Sequence, residues 1–366
     1  MRQNTPQPRK ALQQLDPYVP AHGLSGAERP MRLSANESAL GASPKVLEMF
    51  ARGLSDLQIY PQMQSEKLHQ ALSDRYGVRA EGLLTSNGSD ELIALLAQAY
   101  LDIGDEAVIT QYGFLVFPQV VQVAGATSVV AADDGYTVSV DNILASVSAR
   151  TKIVFLANPN NPTATLISEA EVRRLHHALP SDVILVLDFA YSEYAPGEMD
   201  YAIKMVEENQ NVVMLRTFSK LHGLAALRLG WGYFPTDILG VMGAIRGPFS
   251  VNSLAAQAGA IAVADTAFQD ENIAHNLKWR SQLRDRFLEM GLRVEESQAN
   301  FLLVHFDGHN GPSAAQTEAY LRSHHILVRG MTGYGLPEAL RLSFSSDEDM
   351  EKLSLLMRDF MVAQST

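Results

Sequence analysis

Short apolar runs alternate with helical segments from about residue 45 to residue 265, and this alternation constrains the fold more than any other feature. Most of the runs are continuously apolar, which is typical of strands buried on both faces of a parallel sheet. Strand–helix–strand repetition predicts an α/β domain with right-handed crossovers and helices on both faces of the sheet. The predicted strands are Glu106–Thr110, Ala126–Val130, Lys152–Ala157, Val183–Asp188, Val212–Thr217 and Leu227–Phe234.

Helix-start signals lie between these strands. Ser89–Leu101 follows an Asn-Gly pair and carries leucines on one face, and Ser168–Leu179 opens with a capping-box pattern. After about residue 265 the pattern changes to a long helix through Trp279 and Phe287. It is followed by predicted strands at Phe301–Val304, Ile326–Arg329 and Leu340–Phe344, and by a closing helix at Ser346–Val362.

The change of pattern predicts two domains and an arm. Residues 1–30 contain five prolines and little periodicity, which indicates a segment that lies on the body of the protein. We predict an N-terminal arm over residues 1–44 that contributes to a smaller domain. A large three-layer αβα domain with a mainly parallel sheet follows over 45–264, and a smaller α+β domain over 265–366.

Composition excludes several classes of function. The 366 residues include 29 basic and 41 acidic side chains, which gives a formal net charge of −12 and disfavours general binding to nucleic acid or to anionic membranes. The chain has no cysteine, so disulfides, thiolate catalysis and cysteine-ligated metals are excluded. The ten histidines form no metal-binding pattern, and we expect no metal. Without a signal peptide or an apolar spanning segment, a cytoplasmic protein is expected.

Two polar loops lie where a ligand could bind, one at the start of a predicted helix and one directly after a predicted strand. Asn87–Glu91 reads NGSDE at a helix start, where free N–H groups and a glycine can hold an anion, although such a start also serves simple capping. Asn158–Ala164 reads NPNNPTA directly after a strand, which is either an ordinary Asn-Pro turn or a rigid polar loop that faces a ligand. Open α/β sheets bind ligands at these strand ends.

Two further segments carry ionisable side chains at strand ends. Asp188 ends the apolar run VILVL, and a carboxylate there is costly to bury unless it meets a cation or caps the sheet edge. Lys220 follows Thr217 and Ser219, with Arg228 a short distance downstream. Such a lysine is either an ordinary surface charge or a Schiff-base lysine whose amine is activated by its surroundings.

Together these four segments match the requirements of pyridoxal phosphate. The cofactor needs an amine for its aldehyde, an acid for its pyridine nitrogen, and donors for its phenolic oxygen and phosphate. The sequence also resembles the fold-type I aminotransferases, and among them the histidinol-phosphate aminotransferases, from about Pro17 to the C-terminus. The resemblance is carried by LSANESALGASP (33–44), IYP (59–61), SNGSDELI (86–93), QYGFLVFP (111–118), LANPNNPT (156–163), DFAY (188–191), TFSKLHGLAALRLGWG (217–232) and ALRLSFSSDEDM (339–350).

The resemblance implies roles for the cofactor-binding residues. Lys220 would bind the cofactor covalently and move a proton at the substrate Cα. Asp188 would pair with the pyridine nitrogen and keep the ring an electron sink. The other implied contacts are Asn161 and Tyr191 at the phenolic oxygen, Tyr112 on the ring face, and Gly88, Ser89, Asp90, Thr217, Ser219 and Arg228 around the phosphate.

On the substrate side the resemblance implies two arginines. Arg341 resembles the arginine that binds the α-carboxylate in aminotransferases generally, and in the histidinol-phosphate branch it would bind phosphate together with Arg329. Tyr18 matches an arm tyrosine that folds over the substrate, and Asn36 would lie near the substrate; arm packing and turn capping are the alternatives for these two. Tyr60 matches a residue that reaches the neighbouring cofactor phosphate in a homodimer.

Three positions depart from the family pattern. Ala164 ends the NPNNPT loop where glycine is usual, and alanine tolerates fewer backbone conformations. Asp16 stands where arginine often precedes Pro-Tyr, and Ala226 stands at a usual glycine. None of these changes removes an implied cofactor contact, but they leave the amino donor open.

The predicted activity is the transfer of the amine of histidinol phosphate to 2-oxoglutarate by a ping-pong mechanism. Threonine-phosphate decarboxylases and aromatic amino-acid aminotransferases share the cofactor and the pattern, so both are alternatives. A non-enzymatic regulator module with this fold is a third alternative. It is disfavoured because a roughly 30-residue arm is too short for a DNA-binding domain and because the chain is acidic.

Overall fold

The computed structural model describes residues 7–13, 15, 30–53, 56–195, 197, 200–306, 308 and 311–364. The strands are β1 (Met31–Arg32), β2 (Leu83–Ser86), β3 (Glu106–Thr110), β4 (Thr127–Ala131), β5 (Thr151–Ala157), β6 (Ile184–Asp188), β7 (Val212–Thr217), β8 (Gly230–Tyr233), β9 (Arg293–Val294), β10 (Phe301–His305), β11 (Ile326–Leu327), β12 (Arg329–Gly330) and β13 (Ala339–Ser343). Single 3₁₀ turns lie at Lys10–Leu12, Ala80–Gly82, Ser192–Tyr194, Ala225–Leu227 and Thr332–Tyr334.

The α-helices cover most of the remaining chain. They are α1 (Pro44–Ala51), α2 (Glu66–Tyr76), α3 (Ser89–Tyr100), α4 (Val116–Ala124), α5 (Val140–Ser146), α6 (Glu169–Ala178), α7 (Asp200–Glu208), α8 (Thr236–Ile245), α9 (Ser253–Ala264), α10 (Thr266–Glu289), α11 (Ala314–Ser323) and α12 (Asp347–Gln364). Ser168 caps α6 by accepting a hydrogen bond from the backbone of Glu171, as the capping-box pattern predicts.

A seven-stranded sheet forms the centre of the chain, in the order β2-β8-β7-β6-β5-β3-β4. Strands β3 to β7 are parallel, whereas β8 is antiparallel to both of its neighbours. The predicted mainly parallel sheet is therefore confirmed. The edge strand β4 is only partly buried, because it has one neighbour and exposes Val130.

The sheet separates two apolar cores, as expected for three αβα layers. Successive residues of one strand point to opposite faces, so Val154 and Leu156 join one core while Ile153 and Phe155 join the other. The first core is completed by helices α1, α2, α5, α6, α7 and α9, and the second by α3, α4 and α8.

The predicted strand Leu227–Phe234 is wrong at its start. Residues Ala225–Leu227 form a 3₁₀ turn, Arg228 has a left-handed backbone with φ 50°, and the strand begins only at Gly230. A left-handed residue ends a strand because its backbone cannot continue the pleat. The short strand β2 was missed, since four residues carry too little periodicity to be separated from a loop.

A second sheet lies in the C-terminal part of the chain. Its four antiparallel strands have the order β12-β13-β10-β9, and they enclose a separate apolar core with α10, α11 and α12. The predicted single strand Ile326–Arg329 is in fact two strands in different sheets, because Val328 separates β11 from β12. Strand β11 pairs in parallel with β1, so residues 31 and 32 join the C-terminal part. The domain limits at 44 and 264 remain a proposal, which the separate cores support.

Candidate active site

A cavity of about 320 Å³ lies between the central sheet and the segment around β1, β12 and β13. It contains twelve of the predicted site residues: Asn36, Ser89, Asp90, Asn161, Asp188, Tyr191, Thr217, Ser219, Lys220, Arg228, Arg329 and Arg341. We call the cavity residues that end or follow β2, β5, β6 and β7 the sheet wall. The arm wall is formed by Arg32, Ser34, Ala35, Asn36, Glu37, Arg329, Tyr334 and Arg341.

The topology of the sheet explains how the sheet wall forms. Ala157, which ends β5, is in register with Asp188, which ends β6, and the neighbouring β7 ends at Thr217. Because β8 runs in the opposite direction, its first residue, Gly230, is in register with both Thr217 and Ser86. The N-terminus of α3 and the segment from Thr217 to Lys220 therefore meet at one edge of the sheet.

Lys220 lies at the boundary of the two walls. Its Nζ donates a hydrogen bond of 3.2 Å to the carbonyl oxygen of Ala35, and it lies 5.6 Å from the centre of the Tyr191 ring. The amine thus faces a cavity that is lined by polar groups, with an aromatic ring beside it. This position suits a lysine that acts on a bound molecule.

Asp188 is buried at the base of the cavity. Burial raises the pKa of its carboxyl group to about 7, and the charge of Asp90 adds to this rise. The N–H of Ala190, at 3.2 Å, and the charge of Lys220 act in the opposite direction. A cation placed against this carboxylate would therefore be strongly favoured, because it would offset the cost of burying the charge.

The N-terminus of α3 forms an anion-binding corner. Gly88 caps the helix with φ 88°, and a Cβ atom at that position would lie 2.8 Å from the Nη2 of Arg228. Arg228 is in turn fixed by Asp90 at 3.3 Å and by the carbonyl oxygen of Ala225 at 3.0 Å. Ser219 donates its backbone N–H to the Thr217 hydroxyl oxygen. Helix N–H groups, hydroxyls and a guanidinium are the donors that a phosphate prefers.

The arm wall places two arginines on neighbouring strands. Arg329 of β12 is in register with Arg341 of β13. Arg341 is buried, donating through Nη1 to the side-chain oxygen of Asn161 and through Nη2 to the Ser34 carbonyl oxygen. Its Nε lacks a hydrogen-bond partner among the described residues. A planar anion would satisfy such a buried group.

Tyr191 joins the two walls. Its hydroxyl accepts a hydrogen bond of 2.9 Å from the Nδ2 of Asn36, and its ring meets Phe301 edge to face. Burial raises the pKa of Tyr191 to about 12, against the smaller effects of Arg341 and Asn36. The hydroxyl therefore keeps its proton at neutral pH and can donate it.

Comparison with known proteins identifies the family. Residues 28–354 match the family profile of aminotransferase class I and II. The chain belongs to the class I and II aminotransferases. This aminotransferase is 43% identical to histidinol-phosphate aminotransferase of Maricaulis maris (strain MCS10), with 98% of this chain and 99% of the relative covered. It is 42% identical to the enzyme of the same name from Rhodopseudomonas palustris (strain BisA53), with 97% and 98% covered.

Solved structures show the same likeness. The crystal structure of histidinol-phosphate aminotransferase from Sinorhizobium meliloti, in complex with pyridoxal-5'-phosphate, has a TM-score of 0.85 and 26% identity, with 91% of each chain covered. The fold-type I fold predicted for this aminotransferase is thereby confirmed.

Two of the predicted site tyrosines of the aminotransferase are not found in the cavity lining that the structure describes, and a third falls outside the described part of the chain. Tyr112 is not among the described residues that line the cavity, although Asp133 and Asn160 hold its backbone through hydrogen bonds of 3.1 and 3.0 Å. Tyr60 is exposed on another surface of the chain. Tyr18 lies outside the described residues.

Sequence reasoning missed several residues of the cavity. Arg32 and Glu37 form a two-pronged ion pair at its edge, with both N–O distances at 3.1 Å. Phe114 and Tyr334 also line it. Arg32 directly precedes the quoted motif LSANESALGASP and Glu37 lies within it, so a charged pair five residues apart was the available signal. Tyr334 carried none.

Neither a metal-ligand cluster nor a membrane-spanning helix is found in the described part of the chain. Those residues contain no group of three or more histidine, aspartate or glutamate side chains that could hold a metal ion. None of the helices described for the aminotransferase is both long enough and apolar enough to cross a bilayer.

Proposed function

We propose that this aminotransferase transfers the amine of L-histidinol phosphate to 2-oxoglutarate, which gives imidazole acetol phosphate and L-glutamate in histidine biosynthesis. The observation that carries the proposal is the pair of register-matched arginines, Arg329 and Arg341, which line the same cavity as Lys220. The relatives that match this chain over nearly its full length are named histidinol-phosphate aminotransferase, which supports the same substrate. Two guanidiniums suit a phosphate dianion, and the same pair can hold the carboxylate of the keto acid.

Pyridoxal phosphate is the proposed cofactor, and the donor set fits it. The corner at Gly88 and Arg228 offers a helix N-terminus and a guanidinium to a phosphate, and Gly88 adopts a φ of 88° that other residues rarely adopt. The Asp188 carboxylate favours a cation such as a protonated pyridine. When bound, the cofactor supplies an aldehyde for the amine and a ring that accepts electrons from the substrate Cα.

Lys220 is the proposed general acid–base. Its amine would hold the cofactor between turnovers and would move a proton at the substrate Cα in each half of the cycle. Asp188 would keep the pyridine nitrogen protonated, since the cation would offset the cost of burying the carboxylate. Asn161 would donate to the ring's phenolic oxygen, because its own oxygen already accepts from Arg341. Tyr191 would donate to the same oxygen.

The phosphate of the cofactor would lie against the sheet wall. The backbone N–H groups of Ser89 and Asp90 open the helix next to Gly88, and an anion there would also gain from the helix dipole. Arg228 would bind the phosphate from the other side, together with the hydroxyls of Thr217 and Ser219. Tyr112 stacking on the ring stays a prediction.

A homodimer is proposed from an exposed apolar face. Leu57, Ile59 and Tyr60 are each more than 60% exposed, and Tyr60 stacks on Phe249 at 4.7 Å between ring centres. Exposed apolar surface of this kind is typical of an interface. Tyr60 would reach the cofactor phosphate of the second copy, and Tyr18 would cover the substrate. The cytoplasm is the proposed location.

The test is an absorbance titration of the purified, cofactor-loaded protein with histidinol phosphate in the absence of keto acid. The yellow band of the cofactor is expected to bleach, and 2-oxoglutarate is expected to restore it. Inorganic phosphate at the same concentration is the control and should leave the band unchanged. Release of carbon dioxide from threonine phosphate, or bleaching by phenylalanine alone, would replace this proposal with one of the two alternatives.

A further inference from the structure

Asn36 has an unusual backbone conformation in the arm wall. Its φ is 54°, in the left-handed region, and the residue is 1% exposed. Asparagine adopts this conformation more readily than most residues, but the conformation persists only where surrounding contacts hold it. The contacts around Asn36 must therefore hold this conformation.

Hydrogen bonds hold both the backbone and the side chain of Asn36. Its backbone N–H donates to the Ser343 hydroxyl oxygen at 2.8 Å, and that hydroxyl donates to the Asn36 Oδ1 at 3.2 Å. The Asn300 side chain donates to the Asn36 carbonyl oxygen at 3.1 Å. The Ser343 hydroxyl accepts the backbone N–H of Asn36, and its own hydrogen is donated to Oδ1. The side-chain amide of Asn36 is therefore oriented with its oxygen toward Ser343 and its Nδ2 group toward Tyr191.

The orientation of this amide determines what the Tyr191 hydroxyl can do. A phenol has one hydrogen and two lone pairs, and here one lone pair receives the Nδ2 hydrogen of Asn36. The hydrogen of the phenol therefore stays available as a donor. Tyr191 lines the cavity beside Lys220, so an acceptor placed there would receive it.

We infer that Asn36 is a positioning residue that acts through Tyr191: it occupies a lone pair of the phenol and so directs the O–H toward the phenolic oxygen of the cofactor. This inference rests on the proposed function, since it takes pyridoxal phosphate on Lys220 as given. It replaces the expectation that Asn36 contacts the substrate.

The consequence is a shift in proton affinity at the lysine-bound cofactor. A hydrogen bond donated to the phenolic oxygen of the cofactor stabilises the negative charge of that oxygen. The bond therefore lowers the proton affinity of the lysine-bound cofactor. Loss of that bond should therefore raise the pH at which the visible band of the lysine-bound cofactor titrates. The titration needs no substrate.

The test compares Asn36→Gly, Tyr191→Phe and the double variant. Glycine tolerates a left-handed backbone, so Asn36→Gly removes the side chain without new strain. We expect the titration midpoint to rise by roughly half a unit or more, about threefold in proton affinity. The double variant should match Tyr191→Phe alone, because Asn36 has no effect once the hydroxyl is gone. Asn36→Asp, which replaces the donor with an acceptor, should shift the midpoint further.

Other outcomes would overturn the inference. An unchanged midpoint in Asn36→Gly, with a higher KM for the amino donor, would mean that Asn36 contacts substrate instead. Additive shifts in the double variant would mean that Asn36 acts independently of Tyr191. A midpoint that behaves as expected, in a protein that histidinol phosphate does not bleach, would leave the inference intact and refute the proposed donor.

Discussion

The two walls of the cavity are built by different kinds of contact. The sheet wall comes from residues that end adjacent strands of one sheet, as Asp188 and Thr217 do. The arm wall comes from segments about 300 residues apart, such as Asn36 and Ser343, which meet through strand pairing and side-chain hydrogen bonds. The hydrogen-bonded strands of one sheet thus fix the positions of the sheet-wall residues relative to one another. The positions of the arm-wall residues depend instead on how the C-terminal sheet packs against the rest of the chain.

This difference between the walls parallels the proposed separation of cofactor binding from substrate binding. The groups proposed to bind the cofactor lie on the sheet wall, where neighbouring strands fix them relative to one another. The two arginines proposed to bind the substrates, Arg329 and Arg341, lie on the arm wall, and Arg341 connects the walls through Asn161. Changes to the proposed cofactor groups of the sheet wall should therefore stop the chemistry, while changes to the two arginines of the arm wall should alter the affinity for substrates.

The largest effect is expected from Lys220→Ala, which tests the proposed role of the sheet wall in the chemistry. We expect kcat to fall on the order of 10⁴-fold or more, because the proposed roles of the residue are both general acid–base and covalent attachment of the cofactor. Glutamate formation measures the turnover, and absorbance after dialysis shows whether pyridoxal phosphate still binds without a covalent bond. The matched control is Lys204→Ala, which removes an exposed lysine on α7 and should leave turnover unchanged. Substantial turnover in Lys220→Ala would refute the role of the sheet wall.

A smaller effect is expected from Arg341→Lys on the arm wall. Lysine cannot reproduce the separate bonds to Asn161 and Ser34, so KM for both substrates should rise about 10- to 100-fold, with less change in kcat. Steady-state kinetics with each substrate varied in turn gives this split. The control is Arg329→Lys at the register-matched, less buried position, where a smaller rise is expected. A fall in kcat with KM unchanged would mean that the arm wall takes part in the chemistry.

The sheet wall was predictable because its signals are local. An acid at the end of an apolar run and a lysine beside two hydroxyls can be read from a few neighbouring residues, as with Asp188 and Lys220. The strands that follow the same rule, such as Val212–Thr217, were also predicted at their observed bounds.

The arm wall resisted prediction because its contacts are long-range. No local pattern shows that Ser343 fixes the amide of Asn36, or that β11 and β12 separate at Val328. The left-handed backbone of Arg228 was also missed, since no turn residue such as glycine marks that position in the sequence. Resemblance to a family supplied Asn36 and Arg228 as site residues, but it did not supply their contacts.

The smallest predicted effect concerns Ala164, on the loop that carries Asn161. Its backbone φ is 62°, where an L-residue with a Cβ is strained by roughly 1 kcal/mol, and glycine is not. Ala164→Gly should therefore raise the free energy of unfolding by up to about 1 kcal/mol, measured by urea denaturation of the cofactor-loaded protein. The matched control, Ala319→Gly within α11, should lower it by a similar amount, because glycine costs backbone entropy in a helix. Equal losses in both variants would mean that Ala164 is not strained, and that the loop is held by its contacts alone.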